Sequence, residues 1–153
     1  MNLLIVDDNS TVREMMKSLF SDLADQVYES ANGEEAIVSY ASHHQDWVLM
    51  DIEMPVCDGL AATRRIKESY PEARIIMVTS HDSKVLRQAA MDAGACAYVL
   101  KDDLADLHRM LKDHKNGGSG FGDGHSNNFF FRQLNLFIQF LSFDTGLINS
   151  STV

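Results

Sequence analysis

The sequence predicts an α/β fold, a doubly wound sheet of five parallel strands with helices on both faces. Three observations carry this. Short apolar runs and helix-spaced segments alternate from residue 2 to about residue 114. Three of the runs, at 3–6, 47–50 and 75–78, are apolar throughout, as strands buried on both faces must be. Each run stops at a polar residue, which is where an open α/β sheet places its chemistry.

The elements follow in order. Residues 3–6 form strand one, ended by Asp7-Asp8-Asn9. Residues 10–23 carry Val12, Met15, Met16, Leu19, Phe20 and Leu23 at helical spacing, with Asn9 or Ser10 as the N-cap. Residues 27–30 are a short strand, and Asn32-Gly33 turns the chain. Residues 34–44 place Ala36, Ile37, Tyr40 and Ala41 on one helical face. Strand three is 47–50. After it, Met54-Pro55 cannot continue a central strand, because proline has no N–H to donate. Cys57-Asp58-Gly59 leads into a helix over 60–70, closed by Pro71. Residues 75–78 make strand four, ended by Thr79-Ser80-His81-Asp82. A helix over 83–93 stops at Gly94. Strand five is 97–100, ended by Lys101, and Asp102 or Asp103 caps a last helix carrying Leu104, Leu107, Met110 and Leu111. Right-handed crossovers give a doubly wound sheet, and the flavodoxin-like order 2-1-3-4-5 is the preferred arrangement.

Composition narrows the function. A length of 153 residues suits one domain with some excess. The net charge of −9 argues against a broad nucleic-acid surface. Cys57 and Cys96 match no zinc spacing and read as reduced, partly buried thiols. The N-terminus has no basic n-region, and no run reaches the roughly 18 apolar residues of a membrane span. A cytoplasmic location is the resulting expectation.

Residues 1–115 are expected to form the domain. Residues 116–128, rich in Gly, Ser and Asn, read as a flexible linker. Residues 129–153 open with an apolar tail that fits a helix and a strand equally well. Docking on the domain or pairing with a second chain comes first for this tail. A membrane-surface contact, an artificial extension or a frameshifted end are the alternatives.

The strand ends hold the chemistry. In a doubly wound sheet the carboxyl ends of strands one, three, four and five lie near one another. Here they bring Asp7 and Asp8, Asp51, Thr79 and Lys101. Three crowded carboxylates repel, and raised pKa values or a bound cation would relieve this. Oxygen-only ligands select a hard cation, Mg²⁺ first. A hydroxyl and an ammonium complete a site for an anion held against that metal, most simply a phosphoryl group. Each residue alone has a plainer explanation. Asp7-Asp8 could cap a helix, Thr79 could form a turn, and Lys101 could be solvated. Their joint arrival at four strand ends points to a site.

These residues, with Asp51 inside D-I-E-M-P and with Gly59, resemble the receiver domain of a bacterial two-component response regulator over about residues 1–114. The stretch T-S-H-D and the later G-A-C-A-Y-V-L-K-D-D-L are similar to receivers of the subfamily with a helix-turn-helix output domain. The chain departs at Asp102, where most members carry proline after the lysine.

The resemblance implies roles. Asp51 would accept a phosphoryl group from a phosphohistidine on a sensor histidine kinase or a phosphotransfer protein. Asp8, Asp51 and the Glu53 backbone carbonyl would bind Mg²⁺, with Asp7 acting mainly through water. Lys101 and Thr79 would contact phosphoryl oxygens. Tyr98 would be the switch aromatic, turning inward as Thr79 moves, and Glu53 and His81 would tune phosphate lifetime. The face made by 83–93, strand five and 104–114 would meet a partner or a second protomer. Such a domain is a phosphoacceptor regulator and not a turnover enzyme. Trp47 fluorescence is expected to report Mg²⁺ binding.

Three rivals are weaker. An electron-carrying flavodoxin would want a phosphate loop after strand one, where this chain has V-D-D-N-S-T. An aspartate-nucleophile phosphatase usually carries D-x-D after its first strand. A transcription factor would need a basic recognition helix, which the tail lacks.

Overall fold

Apolar runs at 3–6, 47–50 and 75–78 have no face left for water, so they belong at the centre of a sheet covered on both sides. A computed structural model of the chain, which describes residues 1–116, bears this out. The order is β1 (Asn2–Val6), α1 (Ser10–Leu19), β2 (Gln26–Ser30), α2 (Gly33–His43), β3 (Trp47–Met50), α3 (Gly59–Ser69), β4 (Ile75–Thr79), α4 (Lys84–Asp92), β5 (Ala97–Leu100) and α5 (Leu104–Lys115). A 3₁₀ turn, Lys101–Asp103, joins β5 to α5. The expected linker beyond Asn116 and the tail at 129–153 lie outside the described residues.

The sheet is wholly parallel in the order β2-β1-β3-β4-β5. Leu3 to Val6, Val48 to Met50 and Ile75 to Val78 are fully buried. Burying each such side chain contributes roughly 1.5–3 kcal/mol. The centre of the sheet therefore carries enough stability to hold crowded charges at its rim. The edge strand β2 reads differently, with Gln26 and Glu29 exposed.

The helix starts were legible. Asn9 accepts from the N–H groups of Thr11 and Val12, Asp58 from Ala61, and Ser83 from Leu86. At α2, Asn32 accepts from the Glu35 N–H while the Glu35 carboxylate accepts back from Ala31. Gly94, φ 98°, ends α4 in the left-handed region that glycine tolerates.

Three expectations need correction. The first helix stops at Leu19, not at 23. Phe20 and Leu23 continue the apolar pattern because the following turn, closed by Leu23 N–H to Phe20 O at 3.0 Å, tucks both into the core. Apolar period reports burial, not helix. Neither Asp102 nor Asp103 caps α5, since no side-chain bond is made there; the 3₁₀ turn leads the backbone in instead. Trp47 begins β3 while Asp51 follows its end, four residues and about 13 Å away. Its indole packs against Arg74 and His114 at the opposite rim, so it is badly placed to sense a metal at Asp51.

Both cysteines are free and buried. Burial pushes the Cys96 thiol up to about 12, which leaves it unreactive. Among the described residues no helix is long and apolar enough to cross a membrane.

Candidate functional site

The site is built from the points where β1, β3, β4 and β5 stop. Asp7 follows β1 and is fully buried. Its main chain is fixed on two sides, by its N–H to Ser30 O at 3.2 Å and by Arg13 Nη1 to its carbonyl at 2.8 Å. Its Oδ1 accepts from the Asn9 N–H at 2.9 Å. Asp8, next in the chain, is exposed. Asp51 follows β3 and is 7% exposed; its N–H bonds Val6 O at 2.8 Å and its Oδ1 accepts from the Ile52 N–H at 2.9 Å. The three carboxylates bring oxygens within 4.8 Å of one another.

Lys101 reaches into this cluster from the end of β5. Its Nζ lies 2.7 Å from Asp7 Oδ2 and 3.5 Å from Asp51 Oδ2. The nearer contact is a buried, charge-assisted pair, and a carboxylate oxygen that accepts one such bond still has a second lone pair to offer a cation. Burial pulls the Lys101 ammonium down, but Asp7 and Asp51 together outweigh it and hold it above its usual value.

Asp51 is displaced the other way. Burial first, and then the charge of Asp7, push its carboxyl up to about 6 against the opposing pull of Lys101. At neutral pH it is mostly ionised, yet destabilised as an anion. A buried, ionised carboxylate beside a fixed ammonium is a nucleophile waiting for an electrophile that carries negative oxygens.

The donor set fits a hard divalent cation. It is all oxygen, it converges within 4.8 Å, and its three carboxylates are faced by a single ammonium.

Thr79 closes β4 and is 1% exposed, paired in register with Leu100, the residue before Lys101. Its Oγ1 accepts from the His81 N–H at 3.2 Å. The loops after β3 and β4 also meet: Glu53 Oε2 and His81 Nε2 are 3.0 Å apart, both exposed. Tyr98 is 2% exposed and already faces inward, its hydroxyl donating to His81 O at 2.6 Å. All eight residues singled out from the sequence therefore lie at this rim or on the loops and strand beside it.

Sequence reasoning missed Arg87. Its guanidinium covers the Tyr98 ring at 4.6 Å. An arginine on the helix before a strand carries no signal of that contact in a single sequence.

The family model described as the response regulator receiver domain matches residues 3–112. The chain belongs to the response regulator receiver domain family. The transcriptional regulatory protein LnrK of Bacillus subtilis is 36% identical over 119 residues, covering 75% of this chain and 54% of LnrK. This chain thus spans about half the length of that relative. A two-component response regulator of the LuxR family from Aurantimonas sp. has a similar structure, with TM-score 0.68, 32% identity, and coverage of 76% and 85% of the two chains. So does a CheX–CheY complex from Borrelia burgdorferi containing BeF3 and Mg²⁺, with TM-score 0.65, 29% identity, and coverage of 74% and 89%. The receiver is a phosphorylation-dependent signalling switch of a two-component system, of the type found in the helix-turn-helix-output subfamily.

Lys101→Ala gives the receiver's first expected result. Removing the one ammonium from three converging carboxylates should cost roughly 2 kcal/mol in chelator, discounted from the fully buried value because Lys101 is partly exposed. Millimolar Mg²⁺ should then raise the melting temperature more in this variant than in the parent. Equal Mg²⁺ gains in both would show that Lys101 does not compensate the cluster.

Proposed function

We propose that Asp51 is the residue phosphorylated in this receiver. The observation that carries the proposal is the state of Asp51. It is buried, mostly ionised at neutral pH, and faced by the Lys101 ammonium. An Asp51 carboxylate oxygen bonds phosphorus as the bond from phosphorus to the donor's leaving atom breaks, giving an acyl phosphate. Asp8, Asp51 and the Glu53 carbonyl would hold Mg²⁺, with Asp7 alongside. When bound, the ion supplies positive charge that offsets repulsion between the attacking carboxylate and the phosphoryl oxygens. Lys101 leaves Asp7 and Asp51 to pair with one phosphoryl oxygen, and Thr79 donates its hydroxyl to another. Glu53 and His81, joined across the mouth, set how readily water reaches the phosphoryl group.

The donor is a sensor histidine kinase or a phosphotransfer protein. The face of α4, β5 and α5 is read by a partner or a second protomer, and the tail offers a second route to a homodimer. Residues 1–115 form the receiver, 116–128 a linker and 129–153 a tail. The chain acts on its own Asp51 and not as a turnover enzyme. It works in the cytoplasm and does not itself contact nucleic acid.

Incubation with acetyl phosphate and Mg²⁺, followed by intact mass and acid treatment, tests this. One acid-labile phosphoryl adduct per chain is expected, and none in chelator. A stable or metal-independent adduct would contradict the proposal. Asp8→Ala should weaken Mg²⁺ binding about tenfold or more by isothermal titration calorimetry, since it removes one charged ligand. An unchanged isotherm would take Asp8 out of the metal site.

A further inference from the structure

Tyr98 is held at three points, and two of them belong to one side chain. Its hydroxyl donates to His81 O on the loop after β4. The Arg87 guanidinium lies over its ring, 4.6 Å from the centroid. Arg87 Nη1 also donates to the Tyr98 backbone carbonyl at 3.4 Å, while Nη2 reaches Asp82 Oδ1 at 3.4 Å. One side chain therefore links α4, the loop before it and β5. Its own stem is largely covered, with the side chain 28% exposed, so the ring contact is made in partly desolvated surroundings where a cation over an aromatic face is strongest. The hydroxyl contact runs to His81, which also bonds Thr79 and Glu53, whereas the Arg87 contacts involve neither Asp51 nor the residues around it.

We propose that Arg87 is a positioning residue that clamps Tyr98 in its inward rotamer and so sets how strongly the switch is coupled to α4. This rests on the reading of Tyr98 as the switch aromatic. The physical case is one of populations. An aromatic ring at the end of a sheet has an inward and an outward rotamer. A group that contacts only the inward form shifts the equilibrium by its differential affinity. Arg87 touches the ring face and the backbone beneath it, and a ring swung outward would lose the stacked guanidinium. Asp82 orients the guanidinium from the far side, so the clamp is a chain of three residues and not a single contact. A planar guanidinium is required. Lysine would keep the charge and lose both the stacking and the fork that reaches Asp82 and the carbonyl together. Binding of a partner that pulls Arg87 away would release Tyr98 without any chemistry at Asp51.

The test uses the full chain labelled with 3-fluorotyrosine and followed by fluorine NMR, the Tyr98 resonance being assigned by its loss in Tyr98→Phe. In the parent, Tyr98 should show a buried signal with little solvent-isotope shift. In Arg87→Ala the outward population should rise about tenfold, seen as a larger solvent-isotope shift, while circular dichroism and the signals of Tyr28, Tyr40 and Tyr70 stay put. Arg87→Lys should behave like Arg87→Ala. Arg87→Gln, which keeps most of the stem, supplies the comparison if alanine unfolds the chain. A Tyr98 signal unmoved in the folded variants, or full rescue by lysine, overturns the clamp. Addition of beryllofluoride with Mg²⁺ separates the two proposals. If Arg87→Ala frees Tyr98 but the ligand fails to draw it back in, the clamp stands and the role of Tyr98 as the phosphorylation-linked switch falls.

Discussion

Asp51→Asn abolishes phosphoryl uptake from acetyl phosphate and Mg²⁺, lowering the labelling rate by about 1000-fold or more, because a carboxamide keeps the shape and loses the nucleophile. The same variant should be more stable than its parent at neutral pH in chelator. The sign follows from the direction of the shift. The Asp51 carboxyl titrates at about 6 in the folded chain against 3.8 when unperturbed, so the folded state binds its proton more tightly. The ionised form is thus disfavoured by folding, by as much as ~3 kcal/mol above pH 6. That penalty shrinks as pH falls from about 6 and is gone below 3.8. Asparagine removes it at every pH. The melting temperature of Asp51→Asn should exceed that of the parent at pH 7, and the gap should close towards pH 4. Thermal unfolding across this range checks it, together with intact mass after acetyl phosphate. Labelling of the asparagine variant at the parental level would remove Asp51 from the chemistry. A stability gap that does not close in acid would show that burial of charge is not what destabilises the site.

How much of this could be read from one sequence depends on what each residue's neighbours are. The strands at 3–6, 47–50 and 75–78 were legible because burial on both faces leaves an unbroken apolar run. The meeting of Asp7, Asp8, Asp51 and Lys101 was legible too, since a parallel sheet sends its strand ends to one rim and each apolar run names its own end. What the pattern cannot carry is the partner of a given side chain. Nothing in the pattern says that Lys101 sits nearer Asp7 than Asp51. Glu53 and His81 were both singled out, yet their pairing 28 positions apart has no signature. The end of α1 was misplaced because Phe20 and Leu23 are buried by a turn, and the apolar rhythm is blind to how the backbone delivers a side chain. Arg87 over Tyr98 is the same problem at longer range. Rim membership follows from topology, while pairing follows from loop geometry.

Gly59→Ala should be the most damaging single methyl in the domain. A Cβ at Gly59 would lie 1.9 Å from the backbone oxygen of Asp51 and 2.9 Å from its carbonyl carbon. Neither atom can swing aside as a side-chain tip could. The Gly59 N–H is also committed, to Ile52 O at 2.9 Å, so α3 starts pressed against the loop that carries Asp51. To admit the methyl, either the first turn of α3 or residues 51–52 must move. Alanine in place of glycine gains up to about 1 kcal/mol of helix propensity. Overpacking against backbone costs more, about 3 kcal/mol or above, so the net is a loss. We expect a melting temperature lower by about 10 °C. Function should suffer beyond the stability loss, because Asp51 is held through its own N–H to Val6 O and a shift of about 1 Å in a reacting group costs on the order of 100-fold in rate. Gly94→Ala provides the contrast. There the three atoms nearest the new Cβ all belong to the Lys67 side chain and not to backbone, and the strain comes from a φ of +98° at the entry to β5, the end away from Lys101. That variant should lose about 1–2 kcal/mol and keep its labelling rate wherever it is folded. If Gly59→Ala melts within about 2 °C of the parent, or if both glycine variants slow labelling equally, then contact between α3 and the Asp51 carbonyl is not what fixes the acceptor in place.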